Sequence, residues 1–125
     1  MTSGAGGGPR QHQPITGSVI ALDAKTGATV AKLETEYPML GGILTTAGGL
    51  VFTGAATGEF IAVDANKGKK LYEFQTSSGI IGLPVTFEHK GKQYVSLVSG
   101  AGGVWALLGD ERMANVPAGG SVWTF

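Results

Sequence analysis

No cysteine occurs anywhere in the 125 residues, which excludes a disulfide framework and a thiolate metal site. Zero cysteines do not by themselves separate cytoplasm from periplasm. Charge is scarce: only 14% of residues are charged, and nine acids balance nine bases. Without a basic excess there is no electrostatic footprint for a nucleic acid or an anionic membrane. No apolar run approaches the roughly 20 residues that a transmembrane helix needs. The opening MTSGAGGGPRQHQP has neither the basic start nor the apolar core of a secretion signal. Helical periodicity is missing too. The best window, Trp105 to Leu108, is short and sits between glycines.

Glycine is what the chain has in quantity. Its 22 copies follow no strict triplet, so they exclude collagen and point to many turns. Between the turns lie short apolar runs. Strands are predicted at 18–23, 29–33, 43–46, 50–53, 59–64, 69–74, 83–87, 93–98 and 121–125. Turns or loops separate them at DAKTG, AGG, GAATG, ANKG, QTSSG and EHKGK, with TEYPM as a longer connection. Residues 104–118 read as irregular, with room for a short helical turn. Strands this short, so closely punctuated, argue for an all-β fold. Runs such as ILTT and LVF are continuously apolar, as expected of strands buried on both faces.

The chain also repeats itself. GSVIALDAKTGATVAKL (17–33) and GEFIAVDANKGKKLYEF (58–74) align at an offset of 41 residues, sharing Gly17/Gly58, Ile20/Ile61, Ala21/Ala62, Asp23/Asp64, Ala24/Ala65 and Gly27/Gly68. A period near 40 residues that carries four short strands is that of a β-propeller blade. Residues 41–74 form one complete unit. Residues 17–33 are the outer half of a unit before it. Residues 82–98 with 121–125 are a following unit whose third strand is delayed by an inserted loop. The fold class is therefore all-β, a partial propeller of roughly two and a half blades, occupying residues 17–125 behind a Gly/Pro-rich loop or tail at 1–16. A closed propeller needs about four to eight blades. This piece should leave sheet faces bare and the isolated chain prone to associate.

The chemistry-bearing residues are few. Asp23 and Asp64 occupy the same place in a repeated turn, so turn stabilisation is favoured over metal or acid work. Asp110, Glu111 and Arg112 are adjacent on the inserted loop and read as a solvated patch. His12 and His89 have no ligand-type spacing to another His, Asp or Glu. GAGGGP and SGAGGVW do not complete a phosphate-binding pattern, and no convincing helix follows either. Trp123 alternates with Val122 and Thr124 and should pack in the core. Trp105, between two glycines and an apolar triplet, could pack or could stack on a flat cofactor.

GSVIALDAKTGATV and GEFIAVDANKGKKLYEF resemble the propeller repeat of pyrroloquinoline-quinone (PQQ) dehydrogenases. The stretches GGILTTAGGLVFTGAATGEFIAVDA, FQTSSGIIGLPVTFEHKGKQYVSLVSGAGG and PAGGSVWTF are similar to the C-terminal end of the large subunit of quinoprotein alcohol and methanol dehydrogenases. The resemblance implies an eight-bladed parent propeller in the periplasm, completed by blades missing from this chain. It implies oxidation of primary alcohols with PQQ and a calcium or lanthanide ion, and a cytochrome c-type electron acceptor. The family's catalytic aspartate, metal ligands and vicinal cysteine pair have no counterpart here, so no catalytic or metal residue is expected in this chain. The resemblance brings Leu40, Gly41 and Trp105 towards the cofactor. Leu40 stands where the family usually has Trp, and Trp105 falls within a residue or two of a family Trp. The Trp that docks one blade on another falls at Ala31 and Tyr72. Tyr72 can still wedge between blades; Ala31 cannot, which predicts weaker packing against the preceding blade. The alternative function is a non-catalytic propeller segment serving protein binding or assembly.

Overall fold

The computed structural model describes residues 15–101 and 111–125. Nine strands are present among them: β1 (Gly17–Leu22), β2 (Thr29–Thr35), β3 (Leu44–Thr45), β4 (Leu50–Gly54), β5 (Glu59–Asp64), β6 (Lys70–Gln75), β7 (Val85–His89), β8 (Lys92–Ser99) and β9 (Ser121–Thr124). A single 3₁₀ turn, Glu111–Met113, lies in the inserted segment, and no α-helix occurs among the described residues. The strands form three antiparallel sheets, ordered β1-β2, β3-β4-β5-β6 and β7-β8-β9. These are the outer half of one blade, a complete blade, and a three-stranded blade.

The repeat reaches down to individual turns. In the β1–β2 turn, Asp23 Oδ1 accepts the Lys25 and Thr26 N–H groups at 3.0 and 2.8 Å and the Thr26 hydroxyl at 2.8 Å. In the β5–β6 turn, Asp64 Oδ1 accepts from Asn66 and Lys67 at 2.9 and 3.0 Å. Each turn closes on a glycine in the left-handed region, Gly27 at φ 72° and Gly68 at φ 64°. The Thr26 N–H, then its hydroxyl, then the Lys25 N–H hold the Asp23 carboxyl below its ordinary range. Both aspartates are therefore turn residues. The pairing irregularity repeats as well, falling between Ala21 and Leu22 in one hairpin and between Ala62 and Val63 in the other.

Most strand ends shift by one or two residues, and three of the shifts have a clear local reason. EHKGK is not a five-residue connection. β7 runs through His89, β8 starts at Lys92, and only Lys90 and Gly91 turn, both with positive φ (51° and 73°). That two-residue geometry follows the strand twist, so pairing continues to the tip. β7 begins at Val85 rather than Leu83, because Pro84 has no N–H to offer a ladder. β3 shrinks to two residues; beyond it, Thr46 already closes the turn by donating its N–H to the Leu50 carbonyl at 2.9 Å.

The inner strands of the middle sheet, β4 and β5, are covered on both faces, while β6 is largely exposed. Val51, Ile61 and Val63 face the first sheet, where Val19, Leu33 and Met39 pack on them. Phe60 faces the third sheet together with Ile80, Val95 and Leu97, joined by Phe52, Trp123 and Phe125. The outer sheets are covered on one face only. Ile20, Leu22 and Val30 are exposed on the first, and Val85, Phe87, Val98 and Val122 on the third. These are the bare faces that the blade count predicts.

Tyr72 does wedge between blades. Its ring meets Phe60 and Phe125 edge-on, with centroids 6.5 and 6.2 Å away. Ala31, its repeat counterpart, lines a cleft of about 160 Å³ between the first and middle sheets, with Val19, Ala21, Val51 and Val63. The weak packing is therefore against the following blade, not the preceding one. Strand parity sets the direction: Ala31 shares the inward face of β2 with Leu33, and that face looks at the middle sheet.

Candidate functional site

Antiparallel order sends the connections to two ends. The tight turns 23–28, 46–49, 65–69 and 90–91 lie at one end. The connections 36–43, 55–58 and 76–84, with the described ends of the segment between β8 and β9, lie at the other. Leu40 and Gly41, two of the expected site residues, sit at this second end. It is knit by main-chain bonds: Gly41 N–H to the Gly54 carbonyl at 3.0 Å, Gly42 to Gly82 at 3.2 Å, Ala56 to Pro38 at 3.0 Å, Ile80 to Ala55 at 3.0 Å, and Gly100 to Gly79 at 2.8 Å.

Leu40 is half-buried immediately before Gly41. Gly41 lies so close to β4 that a Cβ there would meet the Gly54 carbonyl oxygen at 2.7 Å, and its own carbonyl accepts the Thr53 hydroxyl at 3.3 Å. The segment 40–42 and Gly100 are brought together indirectly, since Gly42 and Gly100 both donate to the 76–84 connection. Trp105 lies outside the described residues, as do His12 and Asp110. Trp123 packs as expected, its ring 5.1 Å from that of Phe74 and its Nε1 donating to Ser121 Oγ at 2.8 Å.

Arg112 departs from the expected solvated patch. Its guanidinium donates to the Ile15 carbonyl at 2.9 Å and the Glu36 carbonyl at 3.4 Å, and lies 4.8 Å from the centroid of the Tyr37 ring. A charge read as surface from its neighbours in sequence is used to tie the inserted segment to the connection after β2. The sequence reading also missed a buried group of hydroxyls: Thr76, Ser78 and Ser99 are all nearly inaccessible. The available signal was the run of hydroxyl residues in QTSSG, which reads equally well as loop.

A cleft of about 270 Å³ lies between the outer strands of the first two sheets. Its charged rim is largely satisfied within itself. Lys32 pairs with Glu34, Lys70 with Glu73, and Glu59 accepts the Thr57 hydroxyl. Among the described residues no three His, Asp or Glu side chains could share a metal ion. Half-buried Leu40 and the close-packed glycine backbone offer a cofactor's cation no charged side chain. They do not fit the cation's ligand set.

Residues 28–95 match the family model of the PQQ glucose/ethanol/alcohol dehydrogenase β-propeller domain. Over 117 residues the chain is 46% identical to the quinoprotein alcohol dehydrogenase PedH of Pseudomonas putida, a match covering 91% of this chain and 20% of that protein. The structure is similar to the quinohemoprotein alcohol dehydrogenase ADHIIG of Pseudomonas putida, with a TM-score of 0.78 and 35% identity over 87% of this chain and 16% of that one. It is similar also to a europium-containing methanol dehydrogenase, with a TM-score of 0.77 and 31% identity over 94% of this chain and 24% of that one. The chain thus spans about a fifth of the length of the curated relative it matches. Backbone and sequence agree over nearly all of these blades, and the chain belongs to the PQQ-dependent alcohol dehydrogenase β-propeller family.

Proposed function

We propose that the protein built from this chain and its missing blades is a periplasmic oxidoreductase. It oxidises primary alcohols of the methanol and ethanol type with PQQ and a calcium or lanthanide ion, and passes the electrons to a cytochrome c-type acceptor. The relatives named quinoprotein alcohol dehydrogenase and europium-containing methanol dehydrogenase support this reading. When bound, such a cofactor supplies the two-electron acceptor, polarised by its cation. This chain contributes scaffold and one wall of the cofactor funnel, through Leu40, Gly41 and Trp105, and no catalytic base.

One observation carries the local part of the reading. Gly42 and Gly100, from connections of successive blades, donate to the same 76–84 connection at 3.2 and 2.8 Å. A funnel wall needs both connections at one end of the ring, and a chain of main-chain bonds holds them there.

The test is made in the assembled enzyme. Trp105→Ala should weaken quinone retention several-fold, measured by titrating the apo-enzyme with PQQ, and leave the melting temperature near that of the parent. A stacked aromatic contributes about one kcal/mol beyond its buried area. Unchanged quinone affinity with a lowered melting temperature would remove Trp105 from the wall. The chain alone should reduce no artificial electron acceptor with ethanol or methanol, even with PQQ and calcium supplied; quinone-dependent turnover there would mean that a catalytic site lies within these residues.

A further inference from the structure

The buried hydroxyls have no part in the function so far, yet all converge on the ends of one segment. The third blade is interrupted between β8 and β9. The chain leaves at Gly100–Ala101 and returns at Pro117–Ser121. Ser78, on the connection from β6 to β7, holds both ends with one hydroxyl. Its Oγ accepts the Ala101 N–H at 3.1 Å and donates to the Pro117 carbonyl in a short bond. Neighbouring bonds repeat the pattern. Gly100 donates to the Gly79 carbonyl at 2.8 Å, and Ser77 Oγ lies 2.9 Å from Ser121 Oγ. The two ends also touch each other: a Cβ on Gly100 would meet the Gly119 carbonyl oxygen at 2.8 Å.

Behind Ser78 the other two hydroxyls fix its position. The Ser78 N–H donates to Ser99 Oγ at 3.0 Å, Ser99 Oγ lies 2.8 Å from Thr76 Oγ1, and Thr76 Oγ1 lies 2.8 Å from the Gly58 carbonyl. Each hydroxyl proton has an acceptor inside the protein, so the group is satisfied without solvent. A serine that is 1% exposed, anchored at its own N–H and bonded to both ends of one segment, is better placed to set a geometry than to fill space.

We propose that Ser78 is a positioning residue: its hydroxyl, acceptor to one end and donor to the other, fixes where the segment between Ala101 and Pro117 leaves and rejoins the blade. On the reading above, which places Trp105 of that segment in the cofactor wall, Ser78 also acts on quinone retention through the segment without touching the cofactor.

The experiment compares two deletions in the assembled enzyme. Ser78→Ala and Ser99→Ala each remove one buried hydroxyl from the same group, but only Ser78 bonds Ala101 and Pro117. Amide hydrogen exchange is followed along the chain. Ser78→Ala should speed exchange at least tenfold at residues 100–101 and 113–121 while β4 and β5 keep their protection. Ser99→Ala, which keeps both bonds of the Ser78 hydroxyl, should lower the melting temperature with a much smaller local release. Ser78→Cys, close to isosteric and a weak donor, should fall between Ser78→Ala and the parent and serves in place of Ser78→Ala if that variant does not fold. Equal local exchange in the Ser78 and Ser99 variants, or a uniform rise through β4 and β5, would overturn the positioning role. PQQ titration of the same variants separates the two readings. Released ends with lowered affinity support both; released ends with parental affinity keep the positioning role and refute the cofactor wall.

Discussion

The middle sheet meets its two neighbours by different means. Towards the third sheet it presents Phe60, Tyr72 and Phe74, which engage Trp123 and Phe125 at ring-centroid distances from 4.8 Å upward, with Phe52 stacked on Phe60. Towards the first sheet its buried core is aliphatic, Val51, Ile61 and Val63, and about 160 Å³ beside Ala31 is left unfilled. The strand pattern and the turn are the same on both sides; the repeat differs where Phe60, Tyr72 and Phe74 stand in place of Val19, Ala31 and Leu33. Where the repeat carries Tyr72 the gap between blades is filled by a ring, and where it carries Ala31 it is not. A propeller repeat conserves its hairpin independently of its interface, because turn chemistry is local and interface filling requires a partner.

The largest expected effect tests the aromatic side. Phe60→Ala removes a ring that is 1% exposed and should cost about 3–5 kcal/mol. Val63→Ala, on the same strand but facing the first sheet, should cost only about 1–2 kcal/mol, since it removes two methyl groups rather than a ring. The midpoint of denaturant unfolding measures both, and equal costs would break the contrast between the interfaces.

A second comparison sets the two sibling turns against each other. Gly27→Ala and Gly68→Ala both force a Cβ into the left-handed region, at roughly 1–2 kcal/mol each. Around Gly27 nothing lies within 4 Å, whereas a Cβ on Gly68 would meet the Lys32 carbonyl oxygen at 2.9 Å. Gly68→Ala should therefore be the more destabilising by thermal melting. The excess reports how tightly the first sheet rests on the middle one; parity would show that this contact yields freely.

The smallest effect is a gain. Ala31→Tyr restores at the first interface the ring that Tyr72 supplies at the second. A cavity of about 150 Å³ is known to hold a benzene ring, so the cleft has the required size. Filling it should stabilise by about 0.5–2 kcal/mol, seen as a raised melting temperature. A lowered melting temperature would mean that the two interfaces differ in backbone spacing as well as in side chains.

Much of this was legible without coordinates. All nine strands, their grouping into blades, and the turn role of Asp23 and Asp64 follow from alternation, glycine placement and the 41-residue repeat. The tip at Lys90–Gly91 was read too long, because a lysine at positive φ gives no compositional sign. The 40–42 segment could be named a candidate from resemblance, but its link to Gly100 through the 76–84 connection could not be read from sequence spacing. Arg112 and Ser78 were missed for a related reason. A surface charge and a loop serine look alike in sequence whether they meet solvent or the end of another segment.

Sequence by itself determined the local structure, since a turn or a strand is decided by the backbone preferences and side-chain parity of a few neighbouring residues. Only the tertiary structure decided what crosses between blades: the direction in which Ala31 faces, the partners of Arg112, and the bonding of Ser78 to both Ala101 and Pro117. Those contacts join residues from about 20 to nearly 100 positions apart, and their formation depends on how whole sheets pack, which no short window of sequence encodes.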